Sequence, residues 1–166
     1  MKRQTLNLSR LADQSNTFKL PKGWKIIQPK SSEEWELYYG LRYEILRKPW
    51  NQDKKTTKDE WENKSVHFLL LNEANEAVAT GRLQLNTPTL GQIRSMAVHH
   101  DHQGKGIGSF MINTLEKEAL QRGMKTLELD AREPALPFYL KNNYSVVADS
   151  YLLFGIIKHF KMKKDF

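Results

Sequence analysis

A glycine-rich loop at residues 103–108 has the composition of a phosphate-binding site. It reads Gln-Gly-Lys-Gly-Ile-Gly, follows an apolar run that ends at Val98, and precedes a helical pattern that begins at Ser109. Glycines let successive backbone amides point to one side, and the helix N-terminus adds unpaired N–H groups with partial positive charge. Lys105 adds a full charge. A plain connecting loop is the alternative, but three glycines at alternate positions exceed what a turn requires, so we predict a phosphate site.

The spacing in this loop argues against two common classes of phosphate-binding protein. A Walker A loop has Lys followed by Ser or Thr, whereas Lys105 is followed by Gly106. A dinucleotide-binding loop has the pattern G-x-G-x-x-G, but Ser109 stands where its third glycine belongs. Neither a nucleoside triphosphatase nor a Rossmann dehydrogenase is therefore favoured.

The loop resembles the acyl-CoA pyrophosphate loop of the GNAT superfamily of N-acetyltransferases, whose motif is Gln/Arg-x-x-Gly-x-Gly/Ala. Residues 93–98 resemble the fourth strand of that family, and residues 138–144 resemble its FYxKxGF segment. With a first helix around residues 41–44, the resemblance covers residues 24–162. It implies an α+β, GNAT-like fold in which a central mixed, mostly antiparallel sheet is flanked by about four helices. It also implies acetyl-CoA as co-substrate and no metal.

The resemblance implies a role for each motif. The amides of Met96 and Val98 would hold the pantetheine arm like an added strand, and the loop amides would bind the pyrophosphate. Tyr139 matches the general acid that protonates the CoA sulfur; without the match it would be interpreted as a core aromatic. Two positions depart from the family pattern, Arg132 in place of a frequent Asn and Asn143 in place of Gly. The residues expected to bind the co-substrate are Met96, Ala97, Val98, Gln103, Gly104, Lys105, Gly106, Ile107, Gly108 and Phe138.

Transfer of an acetyl group to an amine also needs a base or a water relay. An alkyl amine titrates near pH 10, so it must lose a proton before or during attack. Glu128 and Asp130 alternate with leucines on a predicted strand and therefore share one face of it. Glu44 on the first predicted helix is a third candidate. A solvated surface carboxylate remains the alternative for each of the three.

No metal site is predicted. The chain has no Cys, which removes thiolate zinc sites, iron–sulfur clusters, disulfides and a cysteine nucleophile. His99, His100 and His102 lie together, but in a loop without a clear fourth ligand, so we interpret them as loop residues near the co-substrate.

Local patterns place these residues on a series of strands and helices. A serine and a glutamate three residues apart, Ser31 and Glu34, form a capping box before a helix that should end by Pro49. The charged segment 51–65 predicts a long loop, an element that is often used for binding. We treat residues 1–23 as an N-terminal extension and residues 24–166 as one domain. The predicted element order is β-α-β-β-β-α-β-α-β, and it includes one strand–helix–strand unit that could be parallel. The predicted strands lie at residues 24–28, 66–71, 77–85, 92–98, 126–131 and 144–162, and the predicted helices lie at residues 31–48, 109–122 and 135–142.

The length and net charge of the chain limit its domain number and its partners. The chain has 166 residues and a formal charge of +7, which suits one domain of about 100–200 residues that attracts an anionic partner. No apolar run approaches the ~20 residues that span a bilayer, so we expect a cytoplasmic protein without a membrane partner. An amine-bearing acceptor is the expected partner, and a homodimer is left open. The alternatives are a basic nucleic-acid-binding module, which lacks any helix-turn-helix, RRM or zinc-finger signature, and a non-catalytic acyl-CoA sensor.

The loop assignment predicts selective stabilisation by acetyl-CoA. A specific ligand at about 100 times its Kd stabilises the folded state by about 2.7 kcal/mol, which raises the Tm of a domain of this size by several degrees. Thermal unfolding with acetyl-CoA, and with ATP and NAD at matched ionic strength, measures this. An equal shift with all three anions would reduce the loop to a generic basic site and favour the nucleic-acid alternative.

Overall fold

The computed structural model describes residues 18–166. Of the expected extension, residues 1–17 lie outside the described range, and Phe18 packs its ring at 5.4 Å from that of Phe110. The described residues form seven strands and three α-helices, joined by turns and five short 3-10 helices. Their bounds are β1 (Lys25–Ile27), α1 (Ser32–Leu46), β2 (Ser65–Leu71), β3 (Ala77–Leu85), β4 (Leu90–Val98), α2 (Ile107–Gln121), β5 (Thr126–Arg132), α3 (Leu136–Lys141), β6 (Ser145–Leu153) and β7 (Ile157–Asp165), with 3-10 helices at Lys48–Trp50, Lys54–Thr57, Glu62–Lys64, His100–His102 and Glu133–Ala135.

The seven strands form one mixed sheet in the order β1-β2-β3-β4-β5-β7-β6. Every neighbouring pair is antiparallel except β4 and β5, which are parallel and connected through α2. The mostly antiparallel α+β architecture and the parallel strand–helix–strand unit are thus confirmed. No helix within residues 18–166 has the length and apolar character needed to cross a bilayer.

The two long helices cover opposite faces of the sheet. Successive residues of a strand point to opposite faces, and β2 uses both of them. Leu69 packs with Tyr38 of α1, whereas its neighbour Leu70 lies in the main core cluster with Met111 and Leu115 of α2. The site described below therefore opens on the α1 face while α2 supports the sheet from behind.

The capping box starts α1 as expected. The Ser31 hydroxyl accepts from the Glu34 amide at 3.2 Å, and the Glu34 carboxylate accepts from the Ser31 amide at 3.1 Å. The helix ends at Leu46, and the chain turns through a 3-10 helix that contains Pro49. A proline cannot continue the α-helical hydrogen bonds, which explains the stop.

The long segment after α1 is held to the sheet by a buried ion network. Arg42 of α1 and Arg82 of β3 are 2% and 0% exposed, and both donate to the carboxylate of Glu62. Arg82 also makes a bidentate pair with Asp59 at 2.8 and 2.9 Å, and Arg42 donates to the backbone oxygen of Thr57. The network fixes residues 57–62 over the polar face of β3 and β4.

The parallel strands β4 and β5 separate soon after they meet. They pair only at three positions, Leu90 to Gln92 with Thr126 to Glu128. Beyond that point β5 continues beside β7. In β4, Ser95 adopts φ +53° where the register with β3 shifts, so two residues of β4 face Gly81. This bulge and the separation leave an opening in the sheet.

Loss of the Glu62 carboxylate should destabilise the fold strongly. Glu62→Gln removes the counter-ion that two buried arginines share, and breaking such a pair costs about 3 kcal/mol or more. Glu60 is exposed, so Glu60→Gln should change the free energy of unfolding by less than about 0.5 kcal/mol. Urea denaturation of both variants at pH 7 measures the difference; equal stabilities would show that the network does not hold the segment.

Wild type and Glu62→Gln should respond differently to acid. Burial alone would raise the pKa of the Glu62 carboxyl, but the bonds and charges of Arg42 and Arg82 lower the pKa below its ordinary value of 4.5. A lowered pKa stabilises the folded state fully above the ordinary value, and this stabilisation is lost as the pH falls through the lowered pKa. The difference in the free energy of unfolding between wild type and Glu62→Gln should therefore be constant above about pH 6 and shrink below pH 4. Urea denaturation at each pH measures this difference. A gap that widens in acid would contradict this sign.

Candidate functional site

Two cavities meet where β4 and β5 separate. The loop cavity, of about 520 Å³, is lined by Ile45, residues 96–98, His102, Gln103, Gly104, Gly106, Gly108, Ser109, Ala135, Phe138, Tyr139 and Lys141. The inner cavity, of about 220 Å³, is lined by Leu46, Arg47, Asp59, residues 92–96, Leu129, Asp130, Arg132, Ala135, Tyr139, Tyr151, Leu153 and His159. Both cavities share Met96, Ala135 and Tyr139, so a ligand in one can reach a ligand in the other at that point.

The glycine-rich loop has the backbone geometry that its sequence predicts. Gly104 and Gly106 adopt φ +75° and +84°, values that side chains with a Cβ rarely adopt, and Gly106 is the N-cap of α2. The Gln103 side chain donates to the Val98 oxygen at 3.0 Å and closes the loop onto the end of β4. The first amides of α2 consequently lie beside the loop cavity, where they can bind an anion.

Eight of the ten residues expected to bind the co-substrate line the loop cavity, and Lys105 and Ile107 do not. The Lys105 ammonium donates to the backbone oxygen of Asp101 at 2.9 Å. The Ile107 side chain is buried in the core on the far side of the loop. Neither side chain lines the cavity in this arrangement.

The end of β4 presents unpaired amides to the opening. His99 donates its amide to the Val78 oxygen of β3 at 2.8 Å. Successive amides of a regular strand point to alternate sides, so that of Val98 points away from β3, and the bulge at Ser95 interrupts this alternation before Met96. On that side β5 has already separated, since its pairing with β4 ends at Gln92. A bound chain could hydrogen-bond there as an extra strand.

Tyr139 stands at the junction of the two cavities. Its ring packs edge to face against Phe138 at 4.9 Å and against Tyr144 at 6.1 Å. Burial raises the pKa of the Tyr139 phenol to about 12, although the charge of Arg132 opposes the rise. The phenol is therefore protonated at neutral pH and can donate a proton or a hydrogen bond.

The three candidate bases occupy different places. Asp130 lines the inner cavity, where it accepts from the Ser150 hydroxyl at 2.5 Å and from the Gln92 amide at 3.2 Å. Glu128 lies two residues earlier on the same face, outside the cavity lining, with its carboxylate 3.8 Å from the Lys161 ammonium. Glu44 is an exposed residue of α1 that pairs with Lys48. Only Asp130 of the three lines the inner cavity.

Sequence reasoning missed the arginines and the buried histidine of the inner cavity. Arg94 shares the polar face of β4 with Gln92, and Arg132 was noted only as a departure from a family motif. His159 is 3% exposed and stacks on Tyr151 with ring centroids 4.6 Å apart. Arg94 could have been found as the one charged residue of a predicted strand, residues 92–98. Arg47 and His159 reach the cavity only through tertiary folding.

The three histidines stay close together, with the ring centroid of His99 lying 6.2 Å from that of His100 and 5.9 Å from that of His102. His102 lines the loop cavity and packs edge to face on Trp24, and His99 accepts from the Asp101 amide. Within residues 18–166, no three His, Asp or Glu side chains are grouped so that they could hold a metal ion.

Comparison with known proteins agrees with this geometry. The model of the acetyltransferase (GNAT) family matches residues 33–144. An uncharacterized N-acetyltransferase of Bacillus subtilis (strain 168), YjcF, is 29% identical over 141 residues, which cover 85% of this chain and 99% of that protein. Among solved structures, one from Lactobacillus plantarum has a TM-score of 0.77 at 21% identity and covers 86% of this chain and 98% of its own. A GNAT family acetyltransferase from Elizabethkingia anophelis with acetyl-CoA bound has a TM-score of 0.71 at 15% identity, covering 88% and 100% of the two chains.

The separated parallel strands, the loop at the start of α2 and the family match together define the class: this protein is an acyltransferase enzyme. The chain belongs to the GNAT family of acetyltransferases.

The close approach of α2 and α3 at the loop cavity gives a stability test. A Cβ on Gly108 would lie 3.0 Å from two Phe138 ring atoms, whereas a Cβ on Gly40 of α1 would meet nothing within 4 Å. Glycine to alanine in an open helix position stabilises by roughly 0.5–1 kcal/mol, so Gly40→Ala should raise the free energy of unfolding. Gly108→Ala should show no such increase, because its new methyl group would crowd the Phe138 ring. Urea denaturation of both variants measures the free energies of unfolding. A similar gain in both would mean that the helices do not touch here.

Proposed function

We propose that this protein transfers the acetyl group of acetyl-CoA to a primary amine by direct attack in a ternary complex. The observation that carries the proposal is the junction of the two cavities at Met96 and Tyr139. An acyl donor in the loop cavity and an amine in the inner cavity would meet beside an unpaired strand amide and a protonated phenol. No covalent acyl-enzyme is needed in this arrangement.

The loop would bind the pyrophosphate of acetyl-CoA. Positive φ at Gly104 and Gly106 turns the backbone towards the cavity, and the N-terminus of α2 supplies amides and partial positive charge. The Lys105 charge lies within the same loop and adds attraction without a direct contact. The shape and chemistry of the loop cavity therefore fit the diphosphate end of this co-substrate.

The strand amides would hold the pantetheine arm and orient the thioester. Those of Met96 and Val98, with Ala97 between them, form a short edge on which the arm can pair like a strand. A donor at this position can also polarise the thioester carbonyl, because a fixed N–H beside developing negative charge stabilises the transition state. Met96, which lies at the junction, is the residue we assign to that role.

The proton that the leaving sulfur requires must come from a general acid. The amine nitrogen forms a bond to the carbonyl carbon, the carbon–sulfur bond breaks, and the sulfur needs a proton to leave as a thiol. Tyr139 lies at the junction and holds a proton at neutral pH, because burial raises the pKa of its phenol to about 12. We therefore assign it as general acid, with Phe138 packed beside it.

The amine must also lose a proton, and Asp130 is the best placed carboxylate to receive it. It lines the inner cavity, and bonds from Ser150 and Gln92 fix its orientation. Glu128 on the same face lies outside the cavity and would act only through water. We assign Asp130 as base, directly or through a water molecule.

The proposal treats residues 24–166 as one catalytic domain and residues 1–23 as an extension. One continuous sheet from β1 to β6 supports a single domain. We propose that the enzyme works in the cytoplasm on an amine acceptor and that it needs no metal.

Replacing the acid tests the mechanism. Tyr139→Phe should lower kcat by about 10²-fold or more, which is the usual contribution of a general acid, and leave the Kd for acetyl-CoA unchanged. Tyr43→Phe on α1, outside both cavities, should keep full activity. The measurement is release of free CoA thiol that depends on both acetyl-CoA and an amine, across a broad amine panel.

Two outcomes would contradict the proposal. Acetyl-CoA binding without thiol release for any amine would favour a non-catalytic acyl-CoA sensor. Full activity in Tyr139→Phe would remove the phenol from the chemistry and leave the ternary-complex reaction to another proton donor.

A further inference from the structure

The inner cavity concentrates positive charge. Three arginines line it, Arg47 from the segment after α1, Arg94 from β4 and Arg132 from the end of β5. The carboxylates among its lining residues are Asp59 and Asp130. Asp59 is already paired with Arg82, which itself is fully buried outside the lining. One free carboxylate therefore faces three guanidinium groups.

None of these three arginines has a carboxylate partner within the described part of the chain. There, the arginine ion pairs involve Arg42, Arg82 and Arg122. Arg47 donates only to backbone oxygens, those of Leu46 and Thr56 at 3.1 Å each. Such neutral bonds orient the guanidinium but leave its charge uncompensated.

Arg132 and Arg94 are held still more loosely. Arg132 makes one long hydrogen bond, 3.3 Å to the Leu46 oxygen, and lies over the ring of Trp50 at 5.8 Å. A guanidinium on an aromatic face keeps its edge available for a carboxylate or phosphate. Arg94 takes part in none of the arginine ion pairs and lies half-buried in the cavity wall.

The position of Arg94 on the sheet is costly without a counter-ion. It lies directly opposite Arg82 across β3 and β4, and like charges opposite each other destabilise a sheet. Arg82 is ion-paired with Glu62 and Asp59, whereas Arg94 makes no ion pair of its own and acts on the Asp59 carboxylate only from a distance. Burial also lowers the pKa of the Arg47 guanidinium, and the charges of Arg42, Arg132 and Arg94 lower it further. An anion in the cavity would relieve this mutual repulsion.

From this charge and its placement we infer that the amine acceptor also carries an anionic oxygen group, a carboxylate or a phosphate, which Arg94 binds together with Arg47 and Arg132. The inference rests on the proposed acetyl transfer, because it takes the inner cavity as the acceptor site. At about 220 Å³ the cavity is smaller than the roughly 300–1,000 Å³ of sites for drug-sized ligands. The acceptor is thus a small amine whose nitrogen reaches Tyr139 while its anionic group stays among the arginines.

Matched amines with and without the anionic group test the inference. The pairs are phosphoethanolamine with ethanolamine, 6-aminohexanoate with hexylamine, and lysine with lysinamide, assayed by release of CoA thiol. The anionic member of at least one pair should have the higher kcat/KM, and the pair that shows it separates phosphate from carboxylate. Arg94→Gln should lower kcat/KM for that member about tenfold or more, mainly through KM, because it removes a charge-assisted hydrogen bond. It should lower kcat/KM for the neutral member much less, and it should leave the Kd for acetyl-CoA unchanged because Arg94 does not line the loop cavity.

A control variant and a binding measurement separate this inference from the transfer reaction itself. Arg122→Gln removes an exposed arginine at the end of α2, paired with Glu118, and should change none of these values. Thermal unfolding in the presence of CoA should show a Tm shift with the anionic amines in wild type and none in Arg94→Gln. Turnover that is equal or better with neutral amines would overturn the inference and keep the acetyl transfer. A lack of Tm shift with every anionic amine would overturn it even if no amine were turned over.

Discussion

The short pairing of β4 with β5 is the constraint on which the site depends. Two parallel strands that stayed paired would satisfy each other's backbone groups and close the sheet. Here they pair at three positions and then separate, so the later amides of β4 have no neighbouring strand. The bulge at Ser95 falls within the unpaired stretch and turns the strand where Met96 reaches the junction of the cavities. In the proposed reaction, the acyl donor and the amine acceptor both use this one opening.

The same face of the sheet uses buried arginines in two ways. Arg42 and Arg82 are paired with Glu62 and hold the segment after α1 in place, which is a structural use because their charge is compensated. Arg94 lies one strand away and opposite Arg82, with no such partner. The ion network around Glu62 therefore holds one wall of the inner cavity in place. The arginines in the cavity lining that have no carboxylate partner give the cavity its positive charge.

Much of the fold could be predicted from local patterns. The capping box at Ser31 fixed the start of α1, and the glycines expected to turn the loop backbone include Gly104 and Gly106, which adopt positive φ. The apolar runs gave the strands, and the final stretch, expected as one or two strands, forms both β6 and β7. These features depend on residues close together in the chain, so their spacing carries the information.

The inner cavity could not be predicted in the same way. Glu128, Asp130 and Glu44 were equivalent candidates in sequence, and only tertiary packing brought Asp130 to the inner cavity and left Glu44 on the surface. Arg47 and His159 come from segments more than 100 residues apart, and no local spacing relates them. The sequence by itself determined the glycine-rich loop, because a backbone cradle needs glycines at set positions before a helix. Only the tertiary structure decided the inner cavity, because its charge arises from side chains that distant elements bring together.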